Sequence, residues 1–182
     1  MAADAQGNDL EAVDVPYTGF MAVNFDATTA PTQADLEGSP PLPTGYEYVG
    51  LFTEDGGYSE EVEEGDLLKF FQEGYALAGG DSGVSGALTL AEDNAVTRKL
   101  SGIENGVKVG TVYNGQIGVI IATYMKSGRT VYRGGIATPT SFTPSKEERG
   151  AVSSGEFKFT WAAQQDVGGF YRIAVVDAPV NP

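Results

Sequence analysis

Residues Gln116–Ile136 read QIGVIIATYMKSGRTVYRGGI, and this stretch decides the fold. Two runs rich in β-branched and aromatic residues flank Ser127-Gly128, a pair suited to a tight turn. The reading is two antiparallel strands, Gln116–Lys126 and Arg129–Ile136, joined as a hairpin. Asn114-Gly115 stands just before them and is a strong hairpin dipeptide, so Val107–Tyr113 is expected to pair with Gln116–Lys126 as well. Within Gln116–Tyr124 apolar residues fall on both faces, with Val119 and Ile121 against Ile117, Ile120 and Ala122. A strand of that kind is covered twice. The expected covers are the core and a neighbouring subunit.

Working outward, Glu156–Ala162 alternates with period two: Phe157, Phe159 and Trp161 on one face, Glu156, Lys158 and Thr160 on the other. The three aromatics are expected in the core. Tyr171–Val176 reads as the last strand. Thr18–Phe25 reads as the first, with Phe20, Ala22 and Asn24 opposite Met21, Val23 and Phe25. Ala27–Gly45 reads as a loop, because Pro31, Pro40, Pro41 and Pro43 cannot feed a sheet ladder. Tyr46–Phe52 reads as a second strand, with turn residues Glu54-Asp55-Gly56-Gly57 after it. Tyr75–Ala78 and Val84–Leu90 read as further strands. One helix is expected over Ala91–Leu100, capped by Thr89 and ended by Gly102; Glu92 and Asp93 at its start and Arg98 and Lys99 at its end suit the helix dipole. Short strands at this spacing with Gly-rich turns predict a mostly β chain, a β-sandwich with one short flanking helix and long loops.

The 182 residues fit one domain. Residues 1–14, small and acidic without periodicity, are expected to be a flexible arm. Residues 15–182 are expected to be the single sandwich, with a long acidic loop around 53–80. The first ten residues lack a basic stretch and an apolar run, so no signal peptide is expected, and no apolar run reaches membrane-helix length.

The chain holds neither cysteine nor histidine. That removes disulfides, thiolate metal sites, the commonest general base and the usual near-neutral switch. Formal charge is −14 and lopsided: 15 acids precede the first base, Lys69, and the remaining 10 acids meet all 11 bases. So acidic a chain has little cation to exchange for the counterions of a phosphate backbone, and no specific nucleic-acid binding is expected.

Motifs that suggest chemistry fail on chemical grounds. Gly80-Asp81-Ser82-Gly83 matches the nucleophile segment of trypsin-like proteases, but that chemistry needs a histidine. The cluster Glu60, Glu61, Glu63, Glu64 and Asp66 lacks the spacing and turn glycine of a calcium loop; it reads as a solvated face or a contact for a basic patch on another copy. No carboxylate pair is singled out for glycoside hydrolysis, and no phosphate loop is present. No enzyme, cofactor or metal is expected.

Residues 41–102 resemble the major tail proteins, or tail tube proteins, of long-tailed, siphovirus-like bacteriophages, especially those of actinobacterial hosts. Pro41-Leu42-Pro43-Thr44-Gly45-Tyr46-Glu47-Tyr48-Val49-Gly50 is similar to their entry strand. Leu51–Glu60, LFTEDGGYSE, is similar to the turn that follows it. Asp66-Leu67-Leu68-Lys69-Phe70 resembles the short patch closing their acidic segment, and Ser85–Leu100 their passage from strand to helix. The likeness covers about a third of the chain, and no residue in it is catalytic.

The resemblance implies a structural subunit that forms hexameric rings stacked into a hollow tube. Its implied partners are itself, a tape-measure protein in the lumen, a tail terminator, and distal tail or baseplate proteins. DNA would transit the lumen without specific binding, and no membrane would be involved. The implied location is the virion tail, assembled in the bacterial host cytoplasm. By analogy, Thr53–Gly80 is expected at subunit contacts, with Glu60, Glu61, Glu63, Glu64, Asp66 and Phe70 meeting a neighbour whose basic groups are Arg129, Arg133, Lys146 and Arg149. The alternatives are another virion part (tail terminator, head decoration or baseplate component) and a carbohydrate-binding β-sandwich module, since fold alone does not decide function.

Overall fold

A computed structural model of the protein describes residues 13–65, 67–69, 76–78 and 82–177. The chain is mostly β. It runs β1 (Pro16–Asn24), α1 (Gln33–Glu37), β2 (Glu47–Tyr48), β3 (Ser59–Glu63), β4 (Leu67–Lys69), β5 (Ala76–Ala78), β6 (Gly83–Leu90), α2 (Ala95–Leu100), β7 (Ile103–Glu104), β8 (Val107–Lys108), β9 (Ile117–Met125), β10 (Thr130–Pro144), β11 (Gly155–Trp161) and β12 (Tyr171–Val176). Eight strands form one antiparallel sheet in the order β2-β1-β9-β10-β11-β6-β3, with β12 added to β10.

The 15-residue β10 is the corner of the fold. Its first half, Thr130–Ala137, pairs with β9, and Thr130–Gly135 pairs on the other side with β12. From Ala137 onward it pairs with β11, with a register shift between Pro139 and Ser141. A strand that changes partners at a bend or bulge turns one sheet into two packed layers. Met21, Val23, Ile117, Val119 and Ile121 from one layer meet Leu88, Leu90, Phe157, Phe159 and Trp161 from the other in a single core.

The period-two pattern of β11 places Phe157, Phe159 and Trp161 at 0, 0 and 1 % exposure. Their rings pack edge-on and tilted, with centroids 5.6 and 5.1 Å apart along the series. On β6 the same alternation turns Val84, Gly86, Leu88 and Leu90 inward. A methyl group at Gly86 would sit 2.6 Å from the Phe159 ring and 2.7 Å from that of Tyr58, so only glycine fits between them.

The other face of β1, β9, β10 and β12 carries a second, smaller core of Leu36, Ile120, Ala122, Tyr132 and Ala174. Its cover comes from within the chain. Leu36 of α1 is fully buried, and Tyr132 donates its hydroxyl proton to the Ser39 carbonyl at 2.6 Å. The doubly apolar β9 therefore needs no neighbouring subunit over Ile120 and Ala122. Ile117 lies with Val119 and Ile121 on the main core face rather than with Ile120.

Several expectations are corrected. The stretch Ala27–Gly45 contains α1, so the described residues hold two short helices rather than one. Thr32 caps α1 through a reciprocal box with Asp35. The second helix starts at Ala95, with Asn94 and Thr97 as its capping box and Ser101 as its C-cap; Thr89 stays in β6. Glu92 and Asp93 lie outside the helix, where Glu92 accepts from the Leu51 N–H and Asp93 pairs with Arg98. The hairpin turn in this region is Asn105-Gly106, both at positive φ between β7 and β8, rather than Asn114-Gly115. Val107–Tyr113 contributes only β8, and it does not pair with β9. Tyr46–Phe52 contributes only the two residues of β2 and a single bridge from Phe52 to Leu90. In the expected acidic loop, residues 59–63 form a strand paired to β6, and 67–69 pair with 76–78. No helix among the described residues is long and apolar enough to cross a membrane.

Candidate functional site: two sheet edges and a polar clasp

The folded sheet leaves edges uncovered. At one end of the strand order lies β3, all five residues exposed, with Glu60, Glu61 and Glu63 on it and Glu64 just beyond. Its register, Ser59↔Ala87 through Glu63↔Gly83, joins it to β6. Among the described residues no strand pairs on its outer side. At the other end stands β2, two exposed residues paired only to β1 among the described residues, and β12 is open as well, paired only to β10 among them, with Ile173 54 % and Val175 48 % exposed.

Of these, β3 and β12 are tied together inside one chain. The Tyr58 hydroxyl and the Tyr171 hydroxyl both donate to Glu60 Oε2, each at 2.6 Å. The Trp161 indole N–H donates to the Tyr58 oxygen at 3.1 Å, which satisfies the one polar atom of an otherwise buried ring. The Arg133 guanidinium lies 5.0 Å above the Tyr58 ring, within reach of its π face. Burial, and then the bond to the Glu60 carboxylate, push the Tyr58 phenol well above its ordinary value; Tyr171 is raised for the same two reasons. Both phenols thus stay neutral donors, and Glu60 is their shared acceptor.

Of the residues expected at subunit contacts, Glu60 and Arg133 are brought together through Tyr58, but within one chain. The remaining ones are dispersed. Glu61, Glu63 and Glu64 point from the β3 edge into solvent. Arg129 stands in the turn between β9 and β10, near Asp14, whose carboxyl is held below its usual range chiefly by the Ser127 hydroxyl. Lys146 pairs with Glu148 at 2.7 Å in the exposed loop between β10 and β11, which also carries Arg149. Asp66 and Phe70 lie outside the described residues, as do Gly80 and Asp81 of the protease-like segment. Among the described residues no group of three or more acidic side chains is placed to hold a metal ion.

Sequence reasoning missed Tyr58, Tyr171 and the polar role of Trp161. Tyr58 and Trp161 are separated by 103 positions, and Glu60 and Tyr171 by 111, so no local pattern joins them.

The chain matches no family model, and no curated protein matches it. Among solved structures it is similar in shape to a chain of an extracellular contractile injection system, the PVC sheath–tube complex in its extended state. That likeness has 12 % identity and a TM-score of 0.46, over 93 % of this chain and 95 % of the other. A chain of the anti-feeding prophage baseplate gives 11 % and 0.45, over 90 % and 95 %. One from the virion of a native gene transfer agent particle gives 12 % and 0.40, over 73 % and 92 %. Likenesses of this degree are loose likenesses of shape.

Proposed function

We propose that this chain is a non-enzymatic, self-assembling subunit of the tail tube of a long-tailed, siphovirus-like phage, one that forms rings stacked into a hollow tube. The observation that carries the reading is the contrast between two of the open strands, β3 and β12. An uncovered apolar edge is a standing invitation to pair, and soluble proteins normally blunt it with charge. Here β3 is blunted by glutamates, while β12 carries Ile173 and Val175 in the open and a single charge, Arg172. Two β3 edges cannot meet, because glutamate would face glutamate. In the ring reading β12 meets an unlike surface of the next copy, and head-to-tail contacts of that kind close into rings or continue as filaments.

The resemblance at residues 41–102 supplies the six-fold ring, the tape-measure, terminator and distal-tail partners, passage of DNA through the lumen, and the virion location after assembly in a bacterial, actinobacterial host cytoplasm. Glu61, Glu63, Glu64, Asp66 and Phe70, with Arg129, Lys146 and Arg149, are proposed for contacts between copies. Glu60 and Arg133 are proposed for the same contacts, and both also take part in the clasp within one chain.

The test is negative-stain electron microscopy of the purified protein beside its native mass. Six-fold rings or hollow tubes are expected, and a double variant Ile173→Lys, Val175→Lys should abolish them while its circular dichroism stays that of wild type. Stable trimers, or a monomer that binds sugar, would overturn the reading.

A further inference from the structure

The sheet is not closed all round. Beside β1 there is a groove of about 510 Å³ between Pro16–Gly19, a crossing segment of Gly50–Glu54 with Gly57 and Tyr58, and a floor of Ile121–Thr123. Its upper end is shut where the Val49 N–H donates to the Met21 carbonyl at 3.0 Å. Below that point β1 has no β2 partner, since their pairing is confined to Ala22 and Val23. On the opposite wall the Leu51 carbonyl accepts from Ala91 N–H and Thr53 N–H donates to the Thr89 carbonyl, at 2.8 and 3.0 Å. Those bonds face β6, so in an antiparallel ladder the peptide groups of Phe52 between them turn the other way, toward the groove. The walls are mostly apolar, with Tyr17 and Leu51 63 and 69 % exposed, and the one charged residue lining the groove is Glu54.

The chain carries a segment that complements it. Between β10 and β11 the loop is tied at its base, where Ser145 N–H donates to the Ser154 carbonyl at 2.8 Å, and residues 143–153 are all exposed. Lys146 and Glu148 satisfy each other, and Glu147 beside them is exposed. Beyond it come Arg149, which has no carboxylate partner among the described residues, then two small residues, then Val152 at 67 % exposure. Arg149 and the slim apolar run after it match in kind a groove with one anion and mostly apolar walls.

We propose that this loop of a second copy seats in the groove, with Val152 against Leu51 and Phe52 and Arg149 against Glu54. The proposal rests on self-assembly as proposed above and names one contact within it. A chain without cysteine allows a clean test. Leu51→Cys with Val152→Cys, both at exposed positions, should give a ladder of disulfide-linked multimers when the assembled protein is oxidised, whereas each single variant stops at dimers. Arg149→Glu or Glu54→Arg alone should raise the concentration needed for assembly about fivefold, the size of a rim ion pair. The two together should restore it. Assembly without a ladder and without an effect of either charge reversal would overturn this contact and leave the tube reading standing. A cross-link formed only within one chain would overturn it equally. A wild-type protein that never self-associates would overturn both.

Discussion

Trp161 concentrates the chemistry of the core at a single residue. It is 1 % exposed, it packs edge-on to Phe159, and its one side-chain donor reaches Tyr58. Trp161→Ala is expected to cost roughly 3–5 kcal/mol, from lost burial and from the void left behind. The substitution also strips Tyr58 of a partner, so its cost should lie toward the upper end. Urea denaturation would measure it, and a midpoint equal to that of wild type would refute the placement. The inward direction of Phe157, Phe159 and Trp161 was legible because a strand's period of two is local. What Trp161 bonds to was not legible, because Tyr58 arrives from a different part of the chain.

At the level of elements, α1 shows how a five-residue helix can matter more than its length suggests. Its one buried side chain, Leu36, covers Ile120, Ala122, Tyr132 and Ala174. Leu36→Ala should destabilise the protein by about 2–5 kcal/mol and open the second core to solvent. A thermal melt that does not move would show that the loop covers this face without the helix. In the sequence α1 was hidden by its Pro-rich surroundings, and the Thr32–Asp35 spacing was its one signal. The helix α2 was placed in the right region but started too early. Thr89 and Asn94 are both acceptable caps, and Thr89 was already committed to the ladder with β11. Asn105-Gly106 has the same composition as Asn114-Gly115, so residue identity alone does not separate them. Only the pairing of Ile103–Glu104 with Val107–Lys108 chooses Asn105-Gly106.

At the scale of the whole molecule, charge sets the terms of the proposed assembly. Each copy carries −14, with the excess in the segment before Lys69. Copies brought together repel one another, and added salt screens that repulsion. Raising ionic strength from about 0.02 M to about 0.5 M shortens the screening length several-fold, so it should promote assembly of the wild type, followed by light scattering. One Arg149–Glu54 pair per contact is small against that general repulsion. Assembly that falls as salt rises would mean that attraction between opposite patches drives it instead.

By itself the sequence determined the class of the fold, the inward face of β11, the turn at Ser127-Gly128 and the absence of histidine and cysteine chemistry. Each of these depends on residue identity or on neighbours a few positions apart. Only the tertiary structure decided that β9 is covered on its second face by α1, that the acids at 59–63 lie on a strand edge, and that Glu60 accepts from two tyrosines of its own chain. Those facts depend on which distant segments meet, and the meeting is set by the corner in β10, where one strand serves both layers and carries β12 across toward β3.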